Sequence, residues 1–248
     1  MPLYTTEALV LRTYPLGESD RIVVFLTRDR GKRRGVARGA RKSVRRFGGA
    51  LEPLTRVNVS YFEREGRELV RLDFAEPLRS PLAATRPEAL DYVGYFAELL
   101  DEWTPEHDPA ERMFRLGAAA VEAMAAGAPP GALARYFEFW LLRLQGVYPS
   151  LAACQRCGGA FGPQGAWLAR TEPAFLCAGC ASGPVPDLSA AALAFLAAVS
   201  SRPPDRLDDL RLDRETGREI EAVHRALIAG HLDREPRSSR VLRELGAT

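Results

Sequence analysis

Two Cys-x-x-Cys pairs, Cys154-Gln-Arg-Cys157 and Cys177-Ala-Gly-Cys180, stand nineteen residues apart and constrain this chain more than any other feature. Two knuckles at that separation match the zinc-ribbon spacing, in which four thiolates surround one tetrahedral Zn2+. Gly158, Gly159 and Gly179 beside the knuckles let the backbone turn tightly around an ion. Thiolates are soft ligands, which favours Zn2+ over hard cations. The competing readings are an iron–sulfur cluster, dithiol redox chemistry and unoccupied thiols. Four protein ligands leave no open coordination position, so the expected metal is structural, one per chain, held by Cys154, Cys157, Cys177 and Cys180. A small metal-binding module is expected over about residues 150–186.

Compartment points the same way. No apolar run approaches the roughly 20 residues that span a bilayer. The first residues, Met-Pro-Leu-Tyr-Thr-Thr-Glu, lack the basic-then-apolar form of a secretory signal. The expectation is a cytoplasmic protein with no membrane association. In that reducing setting paired cysteines are read as metal ligands before disulfides.

Charge is distributed unevenly. Net charge is only +2 over 248 residues, yet residues 1–80 hold 17 Lys+Arg and 10 Asp+Glu, a balance of +7. The remaining residues hold 17 and 22, a balance of −5. Between Arg28 and Arg46 ten basic side chains fall within nineteen residues, against one acid, Asp29. A phosphate backbone is the commonest partner for such density, because neutralising phosphates releases condensed counterions. A solvated loop is the bland alternative, and the embedded glycines and strand-like pattern weigh against it. Lys32, Arg33, Arg34, Arg38, Arg41, Lys42, Arg45 and Arg46 are the expected phosphate contacts.

This basic segment sits inside β-rich sequence. Leu3–Thr13 is rich in β-formers, with a turn at Pro15-Leu-Gly17, and Arg21–Thr27 reads as a buried strand. Lys32–Ala37 follows, and Gly48-Gly49 ends the basic loop. Leu54–Phe62 alternates, with Val57, Val59 and Tyr61 on one face, and Glu65-Gly66 offers a hairpin turn into Glu68–Glu76. Five short strands suggest a small closed barrel, an OB-fold or an SH3-like barrel. Pro77–Pro81 is expected to end the β-region, placing a domain boundary at residues 79/80.

Beyond it the pattern is helical. Thr85-Arg-Pro-Glu88 reads as a capping box opening a helix over Pro87–Trp103. Further helices are expected over Glu111–Ala126, Ala132–Gln145, Ser189–Ser200 and Thr216–Leu232. The aromatic stripe of the third, which includes Tyr136, Phe137 and Trp140, recurs at helical spacing and reads as bundle core rather than a base-stacking surface.

Catalytic signatures do not emerge. His107, His224 and His231 neighbour no nucleophile motif and read as surface or core-edge histidines. Gly39-Ala-Arg-Lys42-Ser43 lacks the glycine and spacer of a phosphate loop. The acids between Asp205 and Glu221 read as a solvated face rather than a two-metal centre. Three functional classes stay open on residues alone: a DNA-binding protein without an active site, an RNA-binding or ribosome-associated protein, and a metal-dependent nuclease.

The order of features resembles the bacterial RecO family of recombination mediator and DNA repair proteins. The carrying segments are Thr6-Glu-Ala-Leu-Val-Leu, Gly17-Glu-Ser-Asp20, the run from Gly31 to Arg41, and Phe47-Gly-Gly-Ala-Leu-Glu-Pro53. Phe137-Glu, Leu141-Leu142, Gly146 and Pro149 then precede the first Cys-x-x-Cys-Gly. The resemblance is weakest beyond about Pro186. It implies an amino-terminal five-stranded OB-fold over residues 1–79, then an α-helical domain over 80–248 carrying the zinc-binding insertion. It implies a non-enzymatic activity: binding single- and double-stranded DNA, annealing complementary strands, and acting with RecR to load RecA onto strands coated by single-stranded DNA-binding protein. Some family members lack the cysteines, so the zinc is not the shared activity. Tyr14, Phe47, Tyr61 and Phe62 are aromatic candidates for contact with bases, and Arg135 or Arg143 for the acidic tail of the single-stranded DNA-binding protein.

Overall fold

The computed structural model describes residues 2–42, 44–64, 66–169 and 172–244, with Val44 described by its backbone alone. They form two compact units, Met1–Gly127 and Ala128–Thr248.

Five strands build the first unit: β1 (Leu3–Leu16), β2 (Asp20–Thr27), β3 (Gly31–Ala37), β4 (Arg56–Phe62) and β5 (Leu69–Arg79). They close into a barrel in the order β1-β2-β3-β5-β4, with β1 also pairing β4. Every pairing is antiparallel except β3 with β5. That crossing makes a Greek-key barrel of the OB type, which settles the choice between the two barrels. Period-two alternation drives it: Val57, Val59 and Tyr61 are buried between half-exposed neighbours, and they meet Val23, Phe25, Val70 and Leu72 in one core. Phe25 packs edge-on against Tyr61 with ring centroids 5.6 Å apart.

Strand ends differ from the sequence expectation at both prolines. β1 runs through Pro15 to Leu16 and turns at Gly17, and β5 runs through Pro77 to Arg79. Register shifts at Arg56/Val57 and Ser60/Tyr61 irregularise the β4–β5 ladder, so Pro77 sits beside a bulge where a missing N–H is tolerated. Of the expected Glu65-Gly66 turn, Glu65 lies outside the described residues, and Gly66 takes φ +74°.

A single helical turn, α1 (Val44–Phe47), lies between β3 and β4. After β5 come a 3-10 helix at Pro87–Tyr92, then α2 (Val93–Trp103) and α3 (Glu111–Ala126). The expected capping box does not form: Arg86 occupies the cap position, its side chain does not cap the helix and donates instead to the Gly127 carbonyl at 2.6 Å, and the first turn is 3-10. α2 and α3 pack on β1 and β2, where Leu9, Leu11, Val24 and Leu26 are buried on the outside of the barrel. A Cβ on Gly117 of α3 would lie 2.6 Å from Leu9 and 2.7 Å from Leu100. The first compact unit therefore extends past the barrel to Gly127 and takes in α2 and α3.

The second unit holds α4 (Pro130–Leu144), α5 (Ala190–Val199), α6 (Arg214–Leu232) and α7 (Arg237–Glu244). Ser189 caps α5 through the Ala192 N–H at 3.2 Å, and Asp213 caps α6 through the Thr216 N–H at 2.9 Å. Leu133, Phe137 and Leu141 of α4 are buried, as a bundle core requires. Between α4 and α5 the cysteine segment carries two two-residue strands, β6 (Trp167–Leu168) and β7 (Phe175–Leu176), which pair antiparallel. Among the described residues no helix is long and apolar enough to cross a membrane.

Candidate nucleic-acid interface and metal centre

The basic segment divides into two environments. On β3, Lys32 is buried, its ammonium 3.0 Å from the Asp101 carboxylate and donating to the Asp101 carbonyl at 2.6 Å. Arg33 is also buried, donating to the Lys32 carbonyl and lying 3.7 Å from Glu63. Arg34 is exposed but ion-paired to Glu106 at 2.7 Å. Lys32 and Arg33 are thus withdrawn from solvent, which corrects the expectation that all eight cations meet phosphate. Strand alternation is the reason: Lys32 pairs with Leu26 on the outer face and reaches Asp101 of α2, while Arg33 pairs with Phe25 on the core side and lies beside Glu63.

Beyond β3 the chain leaves the barrel as a loop, and the picture changes. Arg38, Arg41, Lys42 and Arg45 are exposed and have no ion-pair partner among the described residues. Their backbone is held firmly. Gly39, at φ +65°, donates its N–H to Asp20 Oδ1 at 2.8 Å, and the Arg41 N–H donates to the Ser19 carbonyl at 3.0 Å. Arg46 clamps the far side, its guanidinium donating to the carbonyls of Asp73 at 2.9 Å and Arg38 at 3.3 Å. Phe47, Ala50 and Leu51 then anchor the exit in the barrel core. Arg46 is therefore a half-buried structural brace, and four cations remain facing solvent, Arg38, Arg41 and Lys42 on the loop and Arg45 on α1. Ser43 lies outside the described residues.

The four aromatic candidates separate equally clearly. Phe47 and Tyr61 are core residues. Tyr14 is 44% exposed, and Phe62 is half-buried with the Arg71 guanidinium 4.5 Å above its ring. Arg71 lies outside the basic run, and its cross-strand partner could be found only from the register.

The four cysteines converge. Their sulfur atoms lie within 4.8 Å of one another, and those of Cys157 and Cys177 are 3.7 Å apart. A tetrahedral site with metal–thiolate bonds of about 2.3 Å sets its sulfurs roughly 3.8 Å apart, so the cluster fits a metal ion. It does not fit a disulfide, and all four are free thiols. Backbone N–H groups fold around the knuckles, with Cys154 N–H to Gly159 O and Gly158 N–H to Cys154 O both 2.9 Å. The residues inside the first knuckle reach across to the second: Gln155 accepts from the Phe175 N–H, and Arg156 donates to the Cys180 carbonyl. Without a cation the thiols cannot all ionise. Donation from the Cys177 N–H holds the Cys154 thiol down at about 6, whereas the hydrogen bond with Cys157 pushes Cys180 up to about 12.

His224 lies deeper than the surface or core-edge place expected of it. It is fully buried, with Nδ1 2.9 Å from Glu138 and Nε2 3.2 Å from the Tyr148 hydroxyl. Arg135 completes the group, 2.9 Å from Glu138 and 3.1 Å from Glu221. Burial lowers the His224 pKa and raises that of Tyr148. Arg135 is consequently committed to the interior, while Arg143 is exposed and stands 5.5 Å from the rings of both Phe139 and Trp140.

Comparison with known proteins covers nearly the whole chain. Residues 1–81 match the family model described as Recombination protein O N terminal, and residues 84–240 that described as Recombination protein O C terminal. The DNA repair protein RecO of Anaeromyxobacter sp. (strain K) is 40% identical over 251 residues, covering 96% of this chain and 95% of the relative. That of Desulforudis audaxviator (strain MP104C) is 36% identical over 252 residues, covering 99% and 98%. That of Koribacter versatilis (strain Ellin345) is 47% identical over 158 residues, 63% of this chain and 64% of the relative.

Proposed function

The chain belongs to the RecO family of DNA repair proteins, and from that premise we propose that it binds single- and double-stranded DNA without sequence specificity and anneals complementary strands. With RecR it helps load the RecA recombinase onto strands coated by single-stranded DNA-binding protein. The work is done by binding alone, with no catalytic residue, in the cytoplasm at the nucleoid. DNA contact falls to the OB domain of residues 1–79, with residues 80–248 as the helical domain.

One observation carries this reading: Arg38, Arg41, Lys42 and Arg45 are exposed, unpaired among the described residues, and braced on a loop of a closed barrel. Cations fixed in that way contact phosphates without reading base edges, which suits a protein acting at any lesion. A cationic surface also screens the repulsion between two strands that must meet. Cys154, Cys157, Cys177 and Cys180 hold one structural Zn2+, supported by a donor set of four convergent thiols. Arg143, exposed above two aromatic rings, is the candidate contact for the acidic tail of the single-stranded DNA-binding protein.

The test is annealing of complementary oligonucleotides coated by single-stranded DNA-binding protein, with and without RecR. Accelerated pairing without strand cleavage is expected. Mg2+-dependent cleavage, or a strong preference for structured RNA over single-stranded DNA, would overturn the reading.

A further inference from the structure

The barrel register sets five residues side by side around its outer surface. Tyr14 of β1 faces Ile22 of β2, Ile22 faces Val36 of β3, Val36 faces Arg71 of β5, and Arg71 faces Phe62 of β4. Paired residues point to the same side of a sheet, and their neighbours along each strand to the other. Those neighbours include Val23, Ala37, Val70, Leu72 and Tyr61, which fill the core, so the row of five points outward. Tyr14 and Arg71 are exposed, and Ile22, Val36 and Phe62 are half-buried. Four strand spacings of about 4.8 Å separate its ends, roughly 19 Å around the surface.

Charge accompanies the row at both ends. The turn that follows Tyr14 carries the basic loop through Ser19 and Asp20. At the other end the Arg71 guanidinium lies over Phe62 at 4.5 Å, and Arg71 has no ion-pair partner among the described residues. An apolar strip between two aromatic rings, flanked by unpaired cations, complements a chain that alternates flat apolar faces with phosphates.

We propose that this row is the track on which the bases of a single DNA strand lie, while Arg38, Arg41, Lys42 and Arg45 hold its phosphates. The inference rests on the reading of the basic loop as the DNA-contacting element. Stacking on aromatic rings accepts every base, because each has a π-face. The Arg71 guanidinium, 4.5 Å above the Phe62 ring, adds a cationic group beside that ring. A duplex keeps its base faces inside its own stack and offers only phosphates, so the loop serves both forms and the row serves the single strand. Stacking also occupies base faces and leaves pairing edges open, the state a complementary strand requires.

The experiment measures binding of the full-length protein to an oligothymidylate and to a duplex of equal length, across a salt series. Tyr14→Ala and Phe62→Leu should each weaken single-strand binding roughly ten-fold, the order measured for loss of one stacking ring. Duplex binding should fall by less, so the ratio of single-strand to duplex affinity drops. Their salt slopes should match the wild type, because no phosphate contact is removed. Tyr14→Phe should retain wild-type affinity. Tyr14→Trp should add a fluorophore that the oligothymidylate quenches, a reading independent of any folding defect in the other variants. An unchanged affinity ratio in both ring variants, or an unquenched Trp in a variant that still binds the strand, would overturn the track while Arg41→Glu still weakens both substrates. If Arg41→Glu with Lys42→Glu weakens neither, the premise fails first.

Discussion

Lys32 and Arg41 show how two cations nine positions apart take opposite roles. Lys32 is buried against Asp101, whereas Arg41 stands in solvent without an ion-pair partner among the described residues. Removing one member of a buried ion pair strands the other, so Lys32→Met should destabilise the fold by about 3 kcal/mol. Its salt slope for DNA binding should stay that of the wild type. Chemical denaturation and a salt titration on one preparation check both halves. His224 carries the pH dependence. Burial keeps its imidazole neutral in the fold, while the unfolded chain protonates near pH 6.5. Below that pH the unfolded state takes up a proton that the folded state refuses, so stability present above about 6.5 is lost by up to roughly 1.4 kcal/mol per unit. Glu138, Arg135, Glu221 and Tyr148 surround the ring and fix its role. Melting at pH 7.5 and 5.5 should show a drop in the wild type that His224→Gln lacks. None of this was legible in sequence, because Asp101 lies 69 positions from Lys32 and Glu138 lies 86 from His224.

Elements were legible where one periodicity governed them. Val57, Val59 and Tyr61 announced β4, and the stripe through Leu133, Phe137 and Leu141 announced α4. β6 and β7 escaped, since strands of two residues carry no pattern, and so did α7, whose single buried residue is Leu242. Thr85 and Glu88 had the right spacing for a cap, yet Pro87 opens a 3-10 turn in its place. The four-cysteine module shows what such short elements need. Two two-residue strands bury too little to persist alone, so Cys154→Ser with Cys157→Ser should release the metal and melt this segment at lower temperature. Metal analysis and calorimetry report it, and stoichiometric metal in that variant would refute the four-thiolate assignment. Turns give a second contrast. Gly31 has φ +71°, and a Cβ there would lie 2.0 Å from the Asp108 carbonyl oxygen, whereas Gly39 has φ +65° and open space. Gly31→Ala should cost about 2 kcal/mol or more, against about 1 kcal/mol for Gly39→Ala, where only the backbone conformation is penalised.

At the scale of the whole molecule, the cysteine spacing and the order of motifs carried the family, and the β-rich opening carried the barrel. What they missed was the grouping of α2 and α3 with the barrel, since Gly117 against Leu9 and Lys32 against Asp101 appear only after folding. That grouping decides which cations face water. Of the eight basic residues first expected at phosphate, two are buried, Arg34 is paired and Arg46 braces the loop, which leaves Arg38, Arg41, Lys42 and Arg45. The measurement that tests this most directly is the salt dependence of single-strand binding for the wild type and for the fourfold Glu variant at those positions. Each phosphate contact contributes about 0.7 to the slope of log affinity against log salt on a single strand. The slope should flatten by about 2 to 3 and affinity should collapse at low salt, with the melting temperature preserved. A variant that keeps the wild-type slope and affinity would place the DNA elsewhere on the molecule.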